Sequence, residues 1–208
     1  MGRRNSSPAY AALRERLAQT AARLMIEGGI EDYGLAKRKA AEKLGVKDIG
    51  ALPSNAQIAA SVAERQRIFE PHVQQRRVES LRRIALSVMD LLEPFQPRLV
   101  GPVLAGTATE SSPIELHAFA DSPESVAAQL VDHGLMVRDC QRRYRYAANR
   151  VSLVPGYRFV QDGADVVVVT FPENGLREAP LSPVDQRPMR RASRSEVAEL
   201  ADGREPAP

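Results

Sequence analysis

Within VLAGTATESSPIELHAF, residues 103–119, the spacing of apolar residues changes from that of a helix to that of a strand. Between residues 78 and 95, apolar residues recur at alternating spacings of three and four, which predicts a long amphipathic helix. Within the quoted stretch, Ile114, Leu116 and Ala118 alternate with other residues, which predicts a strand with one buried face. We therefore expect an α+β fold, with a helical N-terminal region followed by a small mixed β-sheet and flanking helices.

A run of four β-branched residues, Val166–Val169, lies downstream of this stretch. Such a run is typical of a central strand that is buried on both faces. Just before it, Asp162-Gly163 predicts a tight turn, so we expect strands at 157–161 and 165–171 to form a hairpin.

Upstream, four apolar residues predict the first strand of the sheet: Leu99, Val100, Val103 and Leu104. The predicted organisation is a helical N-terminal region at 1–70 and an α/β core at 71–202 that includes a C-terminal loop and helix. A frayed tail follows at 203–208.

The composition excludes several classes of protein. The 208 residues are 43% hydrophobic and 26% charged, which is ordinary for a globular chain. The single cysteine, Cys140, excludes an intramolecular disulfide and a cysteine-based zinc site. No apolar run approaches the roughly 20 residues that span a bilayer. We therefore expect a cytoplasmic protein without a membrane partner.

Positive charge is concentrated in the first half of the chain. Residues 1–95 hold 16 Lys/Arg against 11 Asp/Glu, whereas residues 96–208 hold 13 against 15. A basic half is compatible with a polyanionic partner, and equally with solvated helix faces.

The order helix, strand, Gly106-Thr107 and acid-bearing strand resembles the nucleotidyltransferase superfamily. In that family a Gly-Ser or Gly-Gly pair ends the first strand, and the second strand carries two acids at alternate positions. Backbone N–H groups of such a small pair approach a triphosphate. Alternate strand residues share a face, so the two acids bind magnesium together. The resemblance implies a nucleotide at Gly106 and Thr107 and magnesium at Glu115.

This chain departs from the family at its acids. Pro113 stands at the first acidic position and Glu115 at the second, with His117 two residues further along the same face. Asp165 is the candidate for the third acid. His117 is a candidate ligand or general base, or else one solvated side chain on a half-exposed strand. We expect a protein with an eroded metal site and a nucleotide-binding, regulatory or interaction role, with an active magnesium-dependent nucleotidyltransferase as the alternative.

A second alternative is a nucleic-acid-binding module that uses the basic helices and a strand near residues 143–147. In this strand arginine interleaves with tyrosine at five positions: Arg142, Arg143, Tyr144, Arg145 and Tyr146. Arginines neutralise phosphates, and tyrosines stack on bases. The same alternation is typical of an amphipathic edge strand whose charges discourage aggregation. A protein-binding helical adaptor is a third possibility.

Overall fold

The computed structural model of the protein describes residues 8–69 and 71–204, without the side chains of Ile49 and Phe69. The described residues form seven α-helices and one five-stranded mixed sheet, which confirms the predicted α+β class. Within this part of the chain, every helix is too short or too polar to cross a membrane.

The chain divides into two compact units. The first comprises Met1–Gln74, Thr109–Ser111 and Pro183–Asp185, and the second comprises the rest. Of the tail predicted at 203–208, residues 205–208 lie outside the described part of the chain.

The first unit is built on three helices, α1 (Pro8–Glu27), α2 (Tyr33–Lys43) and α3 (Asn55–Phe69). Asp32 caps α2, since its carboxylate accepts a hydrogen bond from the Leu35 N–H at 2.6 Å. The core of this unit consists of small and aliphatic side chains: Leu17, Ala18, Ala21, Ala22, Ala36, Ala40, Ala51, Ile58 and Val62.

The second unit contains the sheet and most of α4. Its elements follow in this order: α4 (Pro71–Leu91), β1 (Arg98–Val100), α5 (Gly101–Ala105), β2 (Ile114–Phe119), α6 (Pro123–Asp132), β3 (Arg138–Arg145), β4 (Val151–Gln161), β5 (Ala164–Phe171) and α7 (Arg194–Ala201). The spatial order is β1-β2-β5-β4-β3, with β2 and β5 parallel and the other neighbours antiparallel. The valine run therefore lies on the central strand, and β4 and β5 form the predicted hairpin around Asp162-Gly163.

The sheet has two differently filled faces. The first, which we call the helix face, packs against α4, α5, α6 and α7 and carries alternate residues of β2 and β5: Ile114, Leu116, Ala118, Val166 and Val168. The second, which we call the network face, carries the intervening residues: Glu115, His117, Phe119, Val167, Val169 and Phe171. The strict alternation of strand side chains assigns each residue to its face.

The first strand is shorter than predicted, and the prediction for Val103 and Leu104 is wrong. Both residues are buried on helix α5. The chain leaves β1 at Gly101 with φ of 72°, Pro102 occupies the first helical turn, and Gly106 with φ of 78° ends the helix. Proline at a helix start and glycine after its end are the usual boundaries of a helix. Two adjacent apolar residues fit either period, so the hydrophobic pattern could not separate strand from helix here.

Candidate functional site

A buried hydrogen-bonded network occupies the network face. The His117 side chain is 0% exposed. Its Nε2 lies 3.0 Å from the Tyr144 hydroxyl, and its Nδ1 accepts a hydrogen bond from Nε–H of Arg191 at 3.1 Å. The prediction that His117 is a solvated side chain on a half-exposed strand is therefore wrong. The sequence pattern could not reveal that a segment 74 residues away covers this face.

The partners of His117 determine its tautomer. An arginine side chain has only donors, so Nδ1 must carry the lone pair and Nε2 the proton. Nε2–H then donates to the Tyr144 oxygen. Burial, and after it the positive charge of Arg191, holds the pKa of His117 well below its usual range. The imidazole is therefore neutral near pH 7, and both of its nitrogens are engaged by protein groups.

Arg191 is held from several sides. Its Nη1–H donates to the Gly175 carbonyl at 2.8 Å, and its guanidinium carbon lies 5.1 Å and 5.0 Å from the ring centroids of Phe119 and Phe171. These are cation–π distances. Its Nη2 is buried without a hydrogen-bond partner among the described residues. Burial lowers the pKa of this guanidinium, but an arginine side chain keeps its charge in proteins.

Tyr144 completes the network from the edge of the sheet. Its ring is edge-on to His117, with centroids 5.3 Å apart, and lies 5.2 Å from the ring of Phe171. Burial, followed by the negative charge of Glu115, raises the pKa of the Tyr144 hydroxyl. The phenol therefore stays protonated at any physiological pH. A neutral imidazole and a protonated phenol that bond to each other hold these side chains in place, and neither is poised to transfer a proton near pH 7.

Glu115 lies on the same face with valines on both sides. Its cross-strand partners are Val100 on β1 and Val167 on β5. The glycine beside it is Gly101, where an added Cβ would lie 2.9 Å from the Glu115 Oε2 atom. A side chain at residue 101 would displace the carboxylate, and its φ of 72° would also be strained.

The chain leaves the first strand at Gly101-Pro102, whereas the sequence predicted that Gly106-Thr107 ends this strand. Gly106 and Thr107 follow helix α5 instead, and the backbone N–H groups of both bond to the Pro102 carbonyl. The carbonyls of the last turn are bound by Arg82, which donates to Val103 at 3.2 Å and to Leu104 at 3.0 Å. In this position Gly106 and Thr107 have an evident role in ending the helix.

Asp165 lies near the start of β5 and is exposed. It precedes Val166, the partner of Ile114, and alternation places it on the network face, where its partner on β4 is Val160. Glu115, His117 and Asp165 thus share one face. No group of three or more His, Cys, Asp or Glu side chains within the described ranges is arranged to hold a metal ion.

The arginine-rich strand is β3, at the edge of the sheet, as the edge-strand interpretation predicts. It begins at Arg138, five residues before the predicted start, and Arg143 and Arg145 are exposed. The two tyrosines are turned inward: Tyr144 packs in the network, and Tyr146 is 7% exposed beneath the guanidinium of Arg150.

Sequence reasoning missed Arg191 and Phe171 as members of the network. Phe171 was recognised as the end of a strand, and Arg191 lies in a Pro- and Arg-rich segment with no motif around it. A basic residue in such a segment gives no signal of the imidazole that it contacts. The fold alone brings residues 117, 144, 171 and 191 together.

No protein-family model and no curated protein matches this chain. The nucleotidyltransferase resemblance therefore depends on the order of the elements and on a few residues, and it stays a prediction.

Proposed function

We propose that this chain is a nucleotidyltransferase-like interaction protein that does not perform magnesium-dependent nucleotidyl transfer. The supporting order of elements is α4, β1 and then β2, the strand that bears Glu115. The resemblance implies the order helix, strand, small pair and acid-bearing strand. Here helix α5 stands between β1 and β2 and contains Gly101 and Pro102, and Pro102 has no backbone N–H to offer a triphosphate. The order of the elements therefore supports the likeness, and the small pair does not. Cytoplasm is the compartment that we propose for this role.

The observation that carries the proposal is the set of side chains around Glu115. A two-metal site needs several oxygen ligands on neighbouring positions of one face. Here the cross-strand neighbours of Glu115 are Val100 and Val167, and Pro113 precedes it on the same face. None of these three side chains has a ligating atom. Asp165, two residues before Val167, is a second carboxylate on this face, but no third His, Cys, Asp or Glu within the described ranges joins the two in a metal-binding group. The residues present therefore do not fit a pair of magnesium ions.

The network gives a second argument against a metal ion on this face. His117 would offer the next ligand on the face, but its nitrogens face Tyr144 and Arg191. The guanidinium of Arg191 brings a fixed positive charge to the face on which the family binds its metal. A cation supplied by the chain itself opposes the approach of a second cation.

The proposal is tested by isothermal titration of the protein with ATP, CTP and GTP, each with and without magnesium. We expect no heat that depends on magnesium, and no difference between the wild type and a Glu115→Gln variant. The variant keeps the size of the side chain and removes its charge.

Magnesium-dependent heat that disappears in Glu115→Gln would overturn the proposal and favour an active nucleotidyltransferase. Nucleotide binding that is equal with and without magnesium would leave the loss of metal chemistry standing and assign the protein a nucleotide-binding role.

A further inference from the structure

The hairpin of β3 and β4 carries an excess of positive charge. Residues 138–158 contain six arginines and one acidic residue, Asp139. Arg138, Arg143, Arg145 and Arg158 are exposed, and none of them forms an ion pair within the described part of the chain. The charge of this hairpin is therefore available to a partner.

The register of the hairpin brings like charges together. Arg138 and Arg158 are direct cross-strand partners, so their side chains leave the same face of the sheet. Like charges directly opposite each other destabilise an antiparallel pair. A phosphate bound at each of the two guanidiniums would offset this repulsion. Protection against aggregation explains charge on an edge, but it does not require two arginines to face each other.

Because β3 lies at the edge of the sheet, arginine side chains from both of its faces can bind the same ligand. Arg138 projects on the network face, and Arg143 and Arg145 project on the helix face, because side chains alternate along a strand. β3 is the last strand of the sheet. A hydrogen bond from the Leu181 N–H to the Arg145 carbonyl, at 2.7 Å, places another segment of the chain against one end of its outer edge. The exposed guanidiniums of both faces can reach around the rest of that edge. The strand spans about 24 Å from Arg138 to Arg145 at ~3.4 Å per residue. This length matches about seven phosphates along one strand of a duplex.

The buried tyrosines determine how such a ligand would be recognised. Base stacking needs an aromatic face that is open to solvent. The Tyr144 ring packs against His117 and Phe171, and Tyr146 is buried beneath Arg150. The exposed groups are guanidiniums, which bind phosphates without reading sequence.

We propose that the outer edge of β3, through Arg138, Arg143 and Arg145 with Arg158 behind them, binds the sugar-phosphate backbone of a nucleic acid without base stacking. This inference names a partner for the interaction role proposed above. Its experiment does not involve magnesium or Glu115, so the two proposals can fail separately.

The test is the fluorescence anisotropy of a labelled mixed-sequence 20-nucleotide RNA and of a labelled 20-base-pair DNA duplex, titrated with the full chain at several salt concentrations. Four phosphate contacts predict a roughly 50- to 150-fold loss of affinity between 50 and 200 mM salt. Poly(A) and poly(C) should bind with equal affinity. Comparison of the RNA with the duplex identifies the form that the edge accepts.

A triple variant, Arg138→Gln, Arg143→Gln and Arg145→Gln, tests the residues. Its salt slope should be smaller than that of the wild type by about 2.1 for a single strand and about 2.7 for a duplex. The same three positions changed to lysine should restore binding, which separates charge from folding. The matched control is Arg150→Gln, because Arg150 lies on the same hairpin but pairs with Glu178 at 2.5 Å. This control should bind as the wild type does.

Three outcomes would overturn the inference. The first is wild-type affinity in the triple glutamine variant. The second is a strong preference between poly(A) and poly(C), which would require base contacts. The third is labelled polyglutamate that binds as tightly as the RNA, which would assign the edge to an acidic protein partner.

Discussion

On its helix face the sheet packs aliphatic side chains against four helices, whereas on its network face it surrounds a buried imidazole with aromatic rings and a guanidinium. Leu116 and His117 are adjacent on β2, and both side chains are 0% exposed. Leu116 is stabilised by contacts that any apolar neighbour could make. His117 is stabilised by two hydrogen bonds that need particular partners. Burial alone therefore does not indicate what a position tolerates.

The helix face should give the larger loss of stability. We expect Leu116→Ala to lower the free energy of unfolding by about 3 kcal/mol, because it removes buried methyl groups and leaves a cavity. Urea unfolding followed by circular dichroism measures the change. A loss below about 1 kcal/mol would mean that the core beside β2 collapses around the smaller side chain.

Substitutions on the network face should lower stability because they leave buried polar groups without hydrogen-bond partners. We expect His117→Leu to lower the free energy of unfolding by about 2 kcal/mol, since Arg191 and Tyr144 each lose a buried hydrogen-bond partner. The double variant His117→Leu with Arg191→Met should recover part of this loss, because it removes the unpaired buried charge as well. Simple additivity of the two single variants in a double-mutant cycle would contradict the coupling between the two side chains.

The smallest effect is the pH dependence that His117 confers. Its pKa is lowered in the folded state, so the unfolded chain binds a proton below about pH 6.5 that the folded chain excludes. Stability is therefore complete above pH 6.5 and falls by up to about 1.4 kcal/mol per pH unit below it. Urea unfolding at pH 7.0 and at pH 5.8 should show a loss of up to about 1 kcal/mol in the wild type and none of this component in His117→Leu. Equal losses in the two proteins would mean that the imidazole is protonated in the fold.

The sequence correctly predicted those elements that are determined by residues close to one another along the chain. The valine run 166–169 predicted the central strand, and Asp162-Gly163 predicted the hairpin. Each of these signals lies within a few residues of the structure that it specifies.

The network could not be predicted in this way. Alternation on β2 indicates that Ile114 and Leu116 point inward, and it leaves the other face unassigned. Whether His117 is exposed to solvent or covered by protein depends on the path of the chain after Phe171. The spacing of apolar residues carries no information about that path. The prediction that Gly106-Thr107 ends the first strand is wrong for a related reason. It depended on where β1 ends, and the sequence pattern did not indicate that the strand ends before Gly101.

The crossing of the C-terminal segment over the sheet also has a consequence for synthesis. Ala192 exchanges two backbone hydrogen bonds with Leu99, and the preceding residue is Arg191. A ribosome adds ~5–20 residues per second, so the 74 residues from His117 to Arg191 take roughly 4–15 s. During that time Nδ1 of His117 lacks its arginine donor, so the nascent chain presents a polar atom between Glu115 and Phe119. A polar group at the middle of this face makes the half-made sheet a poorer template for aggregation than a continuous apolar face would be.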